Sequence, residues 1–242
     1  MDRRNFLRVA GATGMLVAIA PSTITGRLYA SEGVLFQAYE RVQLVDGSGA
    51  PIKVSALKKE TNYVFNYPYV STPALLLDLE DATAQDVKLT SEDGQEYVWK
   101  SGVGAKRTIV SYSAICSHQL AHPTPSDSFL QYVQKDKKTM AYESSGVIVC
   151  SSHLSAFDAK KGAKRLSGPA AQPLASIVLE VAADDTIWAV GVLGPDKFHD
   201  YFKEFNPEFK LFYGGKRAAK KLVKISAPTV MLKEYTKEII QY

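Results

Sequence analysis

Hydrophobic and polar residues alternate over short stretches of this chain, and clusters of turn-forming residues separate the stretches. Runs typical of strands occur at residues 42–45, 63–67, 74–79, 96–99, 108–113, 177–181 and 186–190. The clusters Asp46-Gly47-Ser48-Gly49 and Glu92-Asp93-Gly94-Gln95 each predict a turn between two strands. Short strands joined by such turns predict an all-β fold, either an antiparallel sandwich or a small barrel.

The pattern changes after residue 195. Residues 196–242 hold a dense group of aromatic residues: Phe198, Tyr201, Phe202, Phe205, Phe209, Phe212 and Tyr213. Residues 232–240 have the apolar spacing of a helix, so we predict a partly helical C-terminal extension. Aromatic residues beside basic ones are also common at interfaces. The sequence leaves open whether this extension packs against its own domain or binds a partner.

Residues 1–30 have the composition of an export signal. The pair Arg3-Arg4 precedes an apolar run at residues 9–20, and small residues lie near Ala30. Paired arginines indicate the twin-arginine route, which exports folded proteins. The run is shorter than the ~20 residues that span a bilayer. We therefore predict cleavage after Ala30 and a periplasmic protein, which associates with the inner membrane only if the leader is retained.

Composition limits the classes of function. Hydrophobic residues make up 46% of the chain, which is enough for a sizeable core. The net charge of +4 is concentrated at the two ends, since residues 31–195 carry 18 acidic against 15 basic residues. No stripe of Lys and Arg is interleaved with aromatic residues on an evident binding element, so we predict no nucleic-acid partner.

The two cysteines of the chain lie in two short segments that also supply a histidine each: Cys116-Ser117-His118 and Cys150-Ser151-Ser152-His153. Two thiolates and two imidazoles suit a tetrahedral zinc ion. They equally suit a [2Fe–2S] cluster with both cysteines on one iron and both histidines on the other. A disulfide is the third alternative in an exported protein, but it leaves the nearby histidines unexplained.

The residues around these two segments favour the cluster. Ser155 and Phe157-Asp158 follow the second segment, and the turn Gly168-Pro169-Ala170 comes before a strand. Over residues 40–195 this combination resembles the Rieske iron–sulfur proteins. The upstream residues 65–68 and 102–104 are most similar to the small subunit of arsenite-oxidase-type molybdenum enzymes.

The resemblance implies a fold, a domain division and a role for each site residue. It implies a Rieske-type antiparallel β-sandwich over residues 31–195 with a small cluster-binding subdomain at about 113–172, flanked by the leader at 1–30 and the extension at 196–242. The implied ligands of the [2Fe–2S] cluster are Cys116, His118, Cys150 and His153. The hydroxyl of Ser155 is implied to donate a hydrogen bond to a cluster sulfur. The two histidines would form an exposed edge through which electrons pass.

Several positions depart from the family pattern. Family members of high potential have a tyrosine where this chain has Phe157, which implies a lower potential here. Many respiratory members brace the two loops with a disulfide, whereas this chain has Ala121 and Ser152 at those places. Residues 119–149 form a long insertion, and we interpret its part at 129–138 as exposed, either a solvated loop or part of a docking surface.

His122 is a second candidate ligand, four residues after His118, although its place before Pro123 suits a loop residue. His199 lies in the extension, where we predict a surface position. No other set of two histidines and a carboxylate remains for a mononuclear iron, which disfavours an oxygenase.

The resemblance implies an electron-transfer subunit of an oxidoreductase rather than a catalyst alone. It would relay single electrons from a molybdenum catalytic subunit to a c-type cytochrome. One alternative is the quinol-oxidising Rieske subunit of a cytochrome bc complex, which would need a firm membrane anchor. The other is a zinc-stabilised binding module with the same four ligands.

Overall fold

The computed structural model describes residues 35–242, so the predicted export signal lies outside the described residues. Strands form most of the regular structure, which confirms the predicted all-β class. The described strands are β1 (Phe36–Val45), β2 (Tyr63–Asn66), β3 (Pro73–Asp78), β4 (Val87–Thr90), β5 (Glu96–Trp99), β6 (Ile109–Ser113), β7 (Asp127–Ser128), β8 (Leu130–Val133), β9 (Val147–Cys150), β10 (Ser155–Asp158), β11 (Lys164–Ser167), β12 (Ser176–Val181), β13 (Ile187–Leu193), β14 (Ser226–Pro228), β15 (Val230–Met231) and β16 (Glu238–Ile239). The described helices are α1 (Phe198–Glu204), α2 (Asn206–Tyr213), α3 (Lys216–Ala219), α4 (Leu232–Tyr235) and a short 3-10 helix (Val54–Ala56).

Two sheets organise the described part of the chain. The main sheet has eight strands in the order β14-β1-β13-β12-β6-β3-β2-β15, and the smaller sheet has the order β11-β10-β9-β8. Two further pairs, β4–β5 and β16–β7, complete the described pairing. Neighbouring strands are antiparallel, except that β1 pairs with β14 and β16 pairs with β7 in parallel.

The main sheet has a hydrophobic core on each of its two faces. Successive side chains of a strand point to opposite faces, so neighbouring residues contribute to different cores. In β3, Leu76 belongs to a core shared with the C-terminal helices, while Leu75 and Leu77 belong to a second core. That second core also contains Leu130 and Ile148 from the smaller sheet. The second core therefore fixes the smaller sheet against the main one.

The C-terminal residues are part of this packing. The side chains of Phe198, Tyr201, Phe202 and Phe209 are at most 4% exposed and lie in the core on the first face of the main sheet. The same segment supplies β14 at one edge of that sheet and β15 at the other. Of the two roles that the sequence left open, packing against its own domain is the one observed.

The expectation of an exposed segment at 129–138 is wrong for its first half. β8 pairs with β9, with Leu130 opposite Cys150, and its four residues are buried. Only the following residues 135–138 are exposed. The apolar run is short and precedes a lysine-rich segment, so local composition concealed a strand whose burial depends on pairing with β9.

The helix predicted at 232–240 is also shorter than expected. It ends at Tyr235, and Thr236 adopts extended backbone angles (φ −123°, ψ 150°). Glu238 and Ile239 then pair with β7. A short helix is marginal on its own, so pairing with a strand decides the conformation of this segment. In residues 35–242, no helix has the length and apolar composition needed to cross a bilayer.

Candidate metal centre

Two strands from different sheets deliver the two predicted ligand segments. β6 of the main sheet ends three residues before Cys116, and β9 of the smaller sheet ends at Cys150. Both cysteines are part of the second core and are 2% and 1% exposed. The packing of one sheet on the other therefore brings the two segments together.

The first ligand loop, residues 116–122, is closed by its own backbone. The N–H of Leu120 donates to the carbonyl of Cys116 (3.1 Å), and the N–H of Cys116 donates to the carbonyl of Ala121 (2.9 Å). Leu120 takes a left-handed conformation (φ 62°), which few residues other than glycine adopt without strain. In the second loop, Leu154 does the same (φ 57°). Both loops thus turn sharply just after their histidines.

The two thiol groups are in direct contact. A hydrogen bond between the two cysteine side chains, helped by backbone N–H groups of the first loop, lowers the pKa of Cys116. The same bond and burial raise the pKa of Cys150 well above its usual range. Cys116 is therefore the easier of the two thiols to deprotonate. A second buried thiolate beside the first would need a cation to offset the repulsion.

Backbone N–H groups point at both sulfurs. Those of His118 and Gln119 donate to the sulfur of Cys116, and those of Ser152 and His153 donate to the sulfur of Cys150. Such donors stabilise negative charge on sulfur, which is the arrangement expected around metal-bound thiolates.

The two histidine rings lie side by side. The ring centroids of His118 and His153 are 4.9 Å apart, and the rings are nearly perpendicular at 89°. His153 is exposed, whereas His118 is half-buried. The Nδ1 atom of His118 is buried and has no hydrogen-bond partner among the described residues. Leaving a buried ring nitrogen unpaired costs about 1–3 kcal/mol, a cost that metal ligation would remove.

Ser155 is fully buried at the start of β10. Its Oγ accepts a hydrogen bond from the N–H of Ala170 (3.2 Å), which leaves the hydroxyl proton for another acceptor. The turn that carries Ala170 approaches the second loop closely because Gly168 has no side chain. A Cβ at Gly168 would lie 2.4 Å from the carbonyl oxygen of Leu154, and its φ is +81°.

The donor atoms thus occur as a pair of sulfurs and a pair of rings. This two-and-two arrangement fits a [2Fe–2S] cluster with Cys116 and Cys150 on one iron and His118 and His153 on the other. In residues 35–242, no three or more His, Cys, Asp or Glu side chains converge on the place of a single metal ion. The cluster needs only two protein ligands on each iron. The ligand set and the hydrogen bond from Ser155 remain predictions.

His122, the alternative ligand, has other partners. Its Nδ1 lies 2.7 Å from the carbonyl oxygen of Leu120, and its Nε2 lies 2.9 Å from Oε1 of Glu208 in α2. The ring is buried. His199 is exposed on α1, as predicted. Because both ring nitrogens of His122 are bonded, the structure gives it a different role from that of His118.

Sequence reasoning missed two contacts of the first ligand loop. One is the bond of His122 to Glu208, which lies 86 residues away. The other joins the Ser117 hydroxyl to the carbonyl of Gln172 (2.8 Å) in the turn after Gly168. The bond of His122 to Glu208 had one signal in the sequence, the dense aromatic residues of the extension, because these residues form the pocket around His122.

Comparison with known proteins gives two relatives and one similar structure. The chain is 32% identical over 194 residues to iodate reductase subunit IdrB of Denitromonas iodatirespirans, covering 80% of this chain and 82% of that protein. It is 31% identical over 194 residues to IdrB of Pseudomonas sp. (strain SCT), covering 80% of each. The soluble domain of Rieske protein II (soxF) from Sulfolobus acidocaldarius matches with a TM-score of 0.46 and 22% identity, covering 77% of this chain and 93% of that one. No protein-family model matches the chain.

The two relatives exceed 30% identity and extend over four fifths of the chain. The resemblance drawn from the ligand segments is thereby confirmed at the level of the family. The chain belongs to the family of Rieske-type iron–sulfur subunits that includes the iodate reductase subunits IdrB.

Proposed function

We propose that this chain is the exported Rieske subunit of a molybdenum oxidoreductase and relays single electrons between its catalytic subunit and a c-type cytochrome. The observation that carries the proposal is the convergence of the two ligand loops. The thiols of Cys116 and Cys150 are in contact, and the rings of His118 and His153 lie 4.9 Å apart. When bound there, a [2Fe–2S] cluster accepts and returns one electron.

The chain's own residues prepare the site for that chemistry. The two cysteines are almost fully buried, so water is kept from their sulfurs while backbone N–H groups offset their charge. His153 is exposed and offers an edge to a partner protein. Burial on one side and exposure on the other suit an electron carrier, which needs no substrate pocket beside its redox group.

The names of the relatives indicate the kind of reaction. Both are subunits of an iodate reductase. We therefore propose that the catalytic partner of this chain reduces iodate or a related oxyanion, and that electrons run from the cytochrome through this subunit to the catalytic one. This direction is the reverse of that implied by the likeness to arsenite-oxidase-type subunits.

The proposal places the protein in the periplasm. The leader with Arg3-Arg4 supports export by the twin-arginine route, which moves proteins after folding and suits a group that needs both loops for binding. Replacing both arginines by lysine should leave the protein in the cytoplasm. Recovery of the mature protein in the membrane fraction with a cytochrome bc complex would contradict the proposal and favour the quinol-oxidising alternative.

The decisive experiment is a visible and electron paramagnetic resonance spectrum of the purified protein, together with its iron and zinc content. We expect about two iron atoms per chain and a paramagnetic signal on reduction. His153→Ala should abolish the signal, and His199→Ala, which removes an exposed histidine outside the loops, should preserve it. Stoichiometric zinc in a colourless protein would establish the binding-module alternative instead.

The partner is tested by affinity purification of the tagged chain from its host. We expect a molybdenum-containing subunit to co-purify and the complex to reduce iodate with reduced cytochrome c as donor. A complex without molybdenum would refute the proposed partner. It would not affect the hypothesis that the chain binds an iron–sulfur cluster, which the spectrum tests separately.

A further inference from the structure

The geometry points to the His122–Glu208 pair as the contact that holds the first ligand loop in position, which makes the C-terminal helices part of the cluster-binding machinery. This inference rests on the proposed function, since it assumes that the loop carries the ligands Cys116 and His118. His122 and Glu208 are positioning residues, because neither is a proposed ligand.

His122 is held from both ends of its ring. A carbonyl oxygen can only accept, so Nδ1–H of His122 donates to the carbonyl of Leu120 at 2.7 Å. The other ring nitrogen shares a proton with the carboxyl group of Glu208 at 2.9 Å. The side chains are 3% and 17% exposed, so water competes little for either bond. The ring thus connects the loop backbone to α2.

Aromatic residues of the extension fix the ring in place. The ring centroids of Tyr201 and Phe205 lie 4.8 Å and 4.7 Å from that of His122, both nearly perpendicular to it. The hydroxyl of Tyr201 in turn donates to the carbonyl of Ser71 at 2.8 Å, which anchors the extension to the body of the domain. Perpendicular aromatic contacts of this kind add to the hydrogen bonds in fixing one orientation.

The loop depends on this contact because the bond is made to its most strained residue. Leu120 has a φ of 62°, and its carbonyl is the group that His122 binds. Both cysteines are free, so no disulfide restrains the loop in the described part of the chain. Without the pair, Leu120 can relax to a negative φ. His118 lies two residues earlier and would move with it, as would the backbone N–H groups that donate to the Cys116 sulfur.

Three variants separate this positioning role from general stability. Glu208→Met removes the acceptor and keeps the length of the side chain. Glu208→Gln restores a bond, because its carboxamide can donate to the ring nitrogen. Ser71→Ala is the matched control, since it removes another buried hydrogen bond between the body and the extension, the one to the carbonyl of Ala219 (3.1 Å).

Two measurements apply to each variant. The first is the rate of cluster loss, measured as the decrease in visible absorbance when the cluster-bound protein is incubated with an iron chelator. The second is the hydrogen-exchange rate of the Leu120 amide in protein without the cluster. In Glu208→Met both rates should rise about tenfold, the effect of leaving one buried ring nitrogen without its hydrogen-bond partner. In Glu208→Gln and Ser71→Ala both rates should stay within about threefold of the wild type.

The inference is overturned if Glu208→Met behaves like Ser71→Ala in both measurements, or if Glu208→Gln is as impaired as Glu208→Met. If Glu208→Met does not fold, His122→Gln supplies the same comparison from the other side of the bond. A wild-type protein that binds no cluster refutes the proposed function instead. In that case the exchange of the Leu120 amide still decides whether the pair holds the loop.

Discussion

Replacing Ser155 by alanine tests the predicted hydrogen bond to the cluster. Ser155 is fully buried, and its Oγ already accepts from the N–H of Ala170 at 3.2 Å. Its hydroxyl proton therefore remains for another acceptor. If that acceptor is a cluster sulfur, the bond strengthens when reduction adds negative charge. Ser155→Ala should then destabilise the reduced state more than the oxidised one and lower the reduction potential.

The size of the shift follows from the strength of such bonds. Hydrogen bonds to charged groups contribute about 1.5–3 kcal/mol net. If about 1–2 kcal/mol of this appears only on reduction, the potential falls by roughly 40–90 mV, because about 59 mV corresponds to a tenfold change for one electron. The variant also leaves the N–H of Ala170 without its acceptor, which should destabilise the fold by about 1–3 kcal/mol.

Protein-film voltammetry gives the potential, and denaturant unfolding gives the stability. Ser128→Ala is the matched control, because Ser128 is also fully buried and its hydroxyl donates to the carbonyl of Leu130 (2.8 Å) outside both ligand loops. This control should lose a similar amount of stability and keep its potential. A potential that is unchanged or raised in Ser155→Ala would refute the reasoning.

Three further predictions concern the ligands, the smaller sheet and a surface carboxylate. His153→Cys replaces a neutral ring by a thiolate, so voltammetry should show a fall larger than that of Ser155→Ala, and an unchanged potential would argue against ligation. Leu130→Ala should lower the free energy of unfolding by about 2–5 kcal/mol. Met140→Ala, at a residue 75% exposed, should change it by less than about 0.5 kcal/mol, and equal effects would contradict the burial of β8. Hydrogen bonds from Lys135 and Lys160 lower the pKa of Asp81 to about 2. Lys135→Met should therefore raise the pKa of Asp81 toward 3.8 in an NMR titration. Because the folded pKa lies below the unfolded one, the stabilisation by this contact is present above about pH 4 and is lost as the pH falls toward 2, and an Asp81 pKa that does not rise in Lys135→Met would contradict the contact.

The sequence predicted those elements whose local pattern matches their final environment. The alternating run before Pro68 became β2, and the run before the first ligand loop became β6. The turn at Asp46 was predicted for the right reason, since its carboxylate accepts from the backbone N–H of Ser48 and of Ala50. The candidate ligand segments could be identified because metal sites use particular residue types at short spacing.

The sequence was misleading where long-range pairing decides the structure. Leu130 and Tyr132 lie shortly before the lysine-rich segment at 135–138, yet pairing with β9 buries them. Glu238 follows a helical pattern but pairs with β7, whose strand begins at Asp127. The contact between His122 and Glu208 joins residues 86 positions apart, and its one signal in the sequence was the group of aromatic residues in the extension. In each case the partner lies far along the chain, so no window of neighbouring residues contains the information.

The relative position of the two ligand loops is itself such a long-range property, because each loop is attached to a different sheet. Two sets of hydrogen bonds, the first of them buried, join these sheets. The hydroxyl of Tyr112 in β6 donates to the carbonyl of Ala159 after β10 (2.7 Å), and the side chain of Asn62 pairs with the backbone of Tyr132 in β8 at 2.9 Å and 2.6 Å. The second core lies between the two sheets and contains both Cys116 and Cys150. The spacing of the four predicted ligands is therefore set by the packing of one sheet on the other, so no disulfide between the two loops is needed to bring them together.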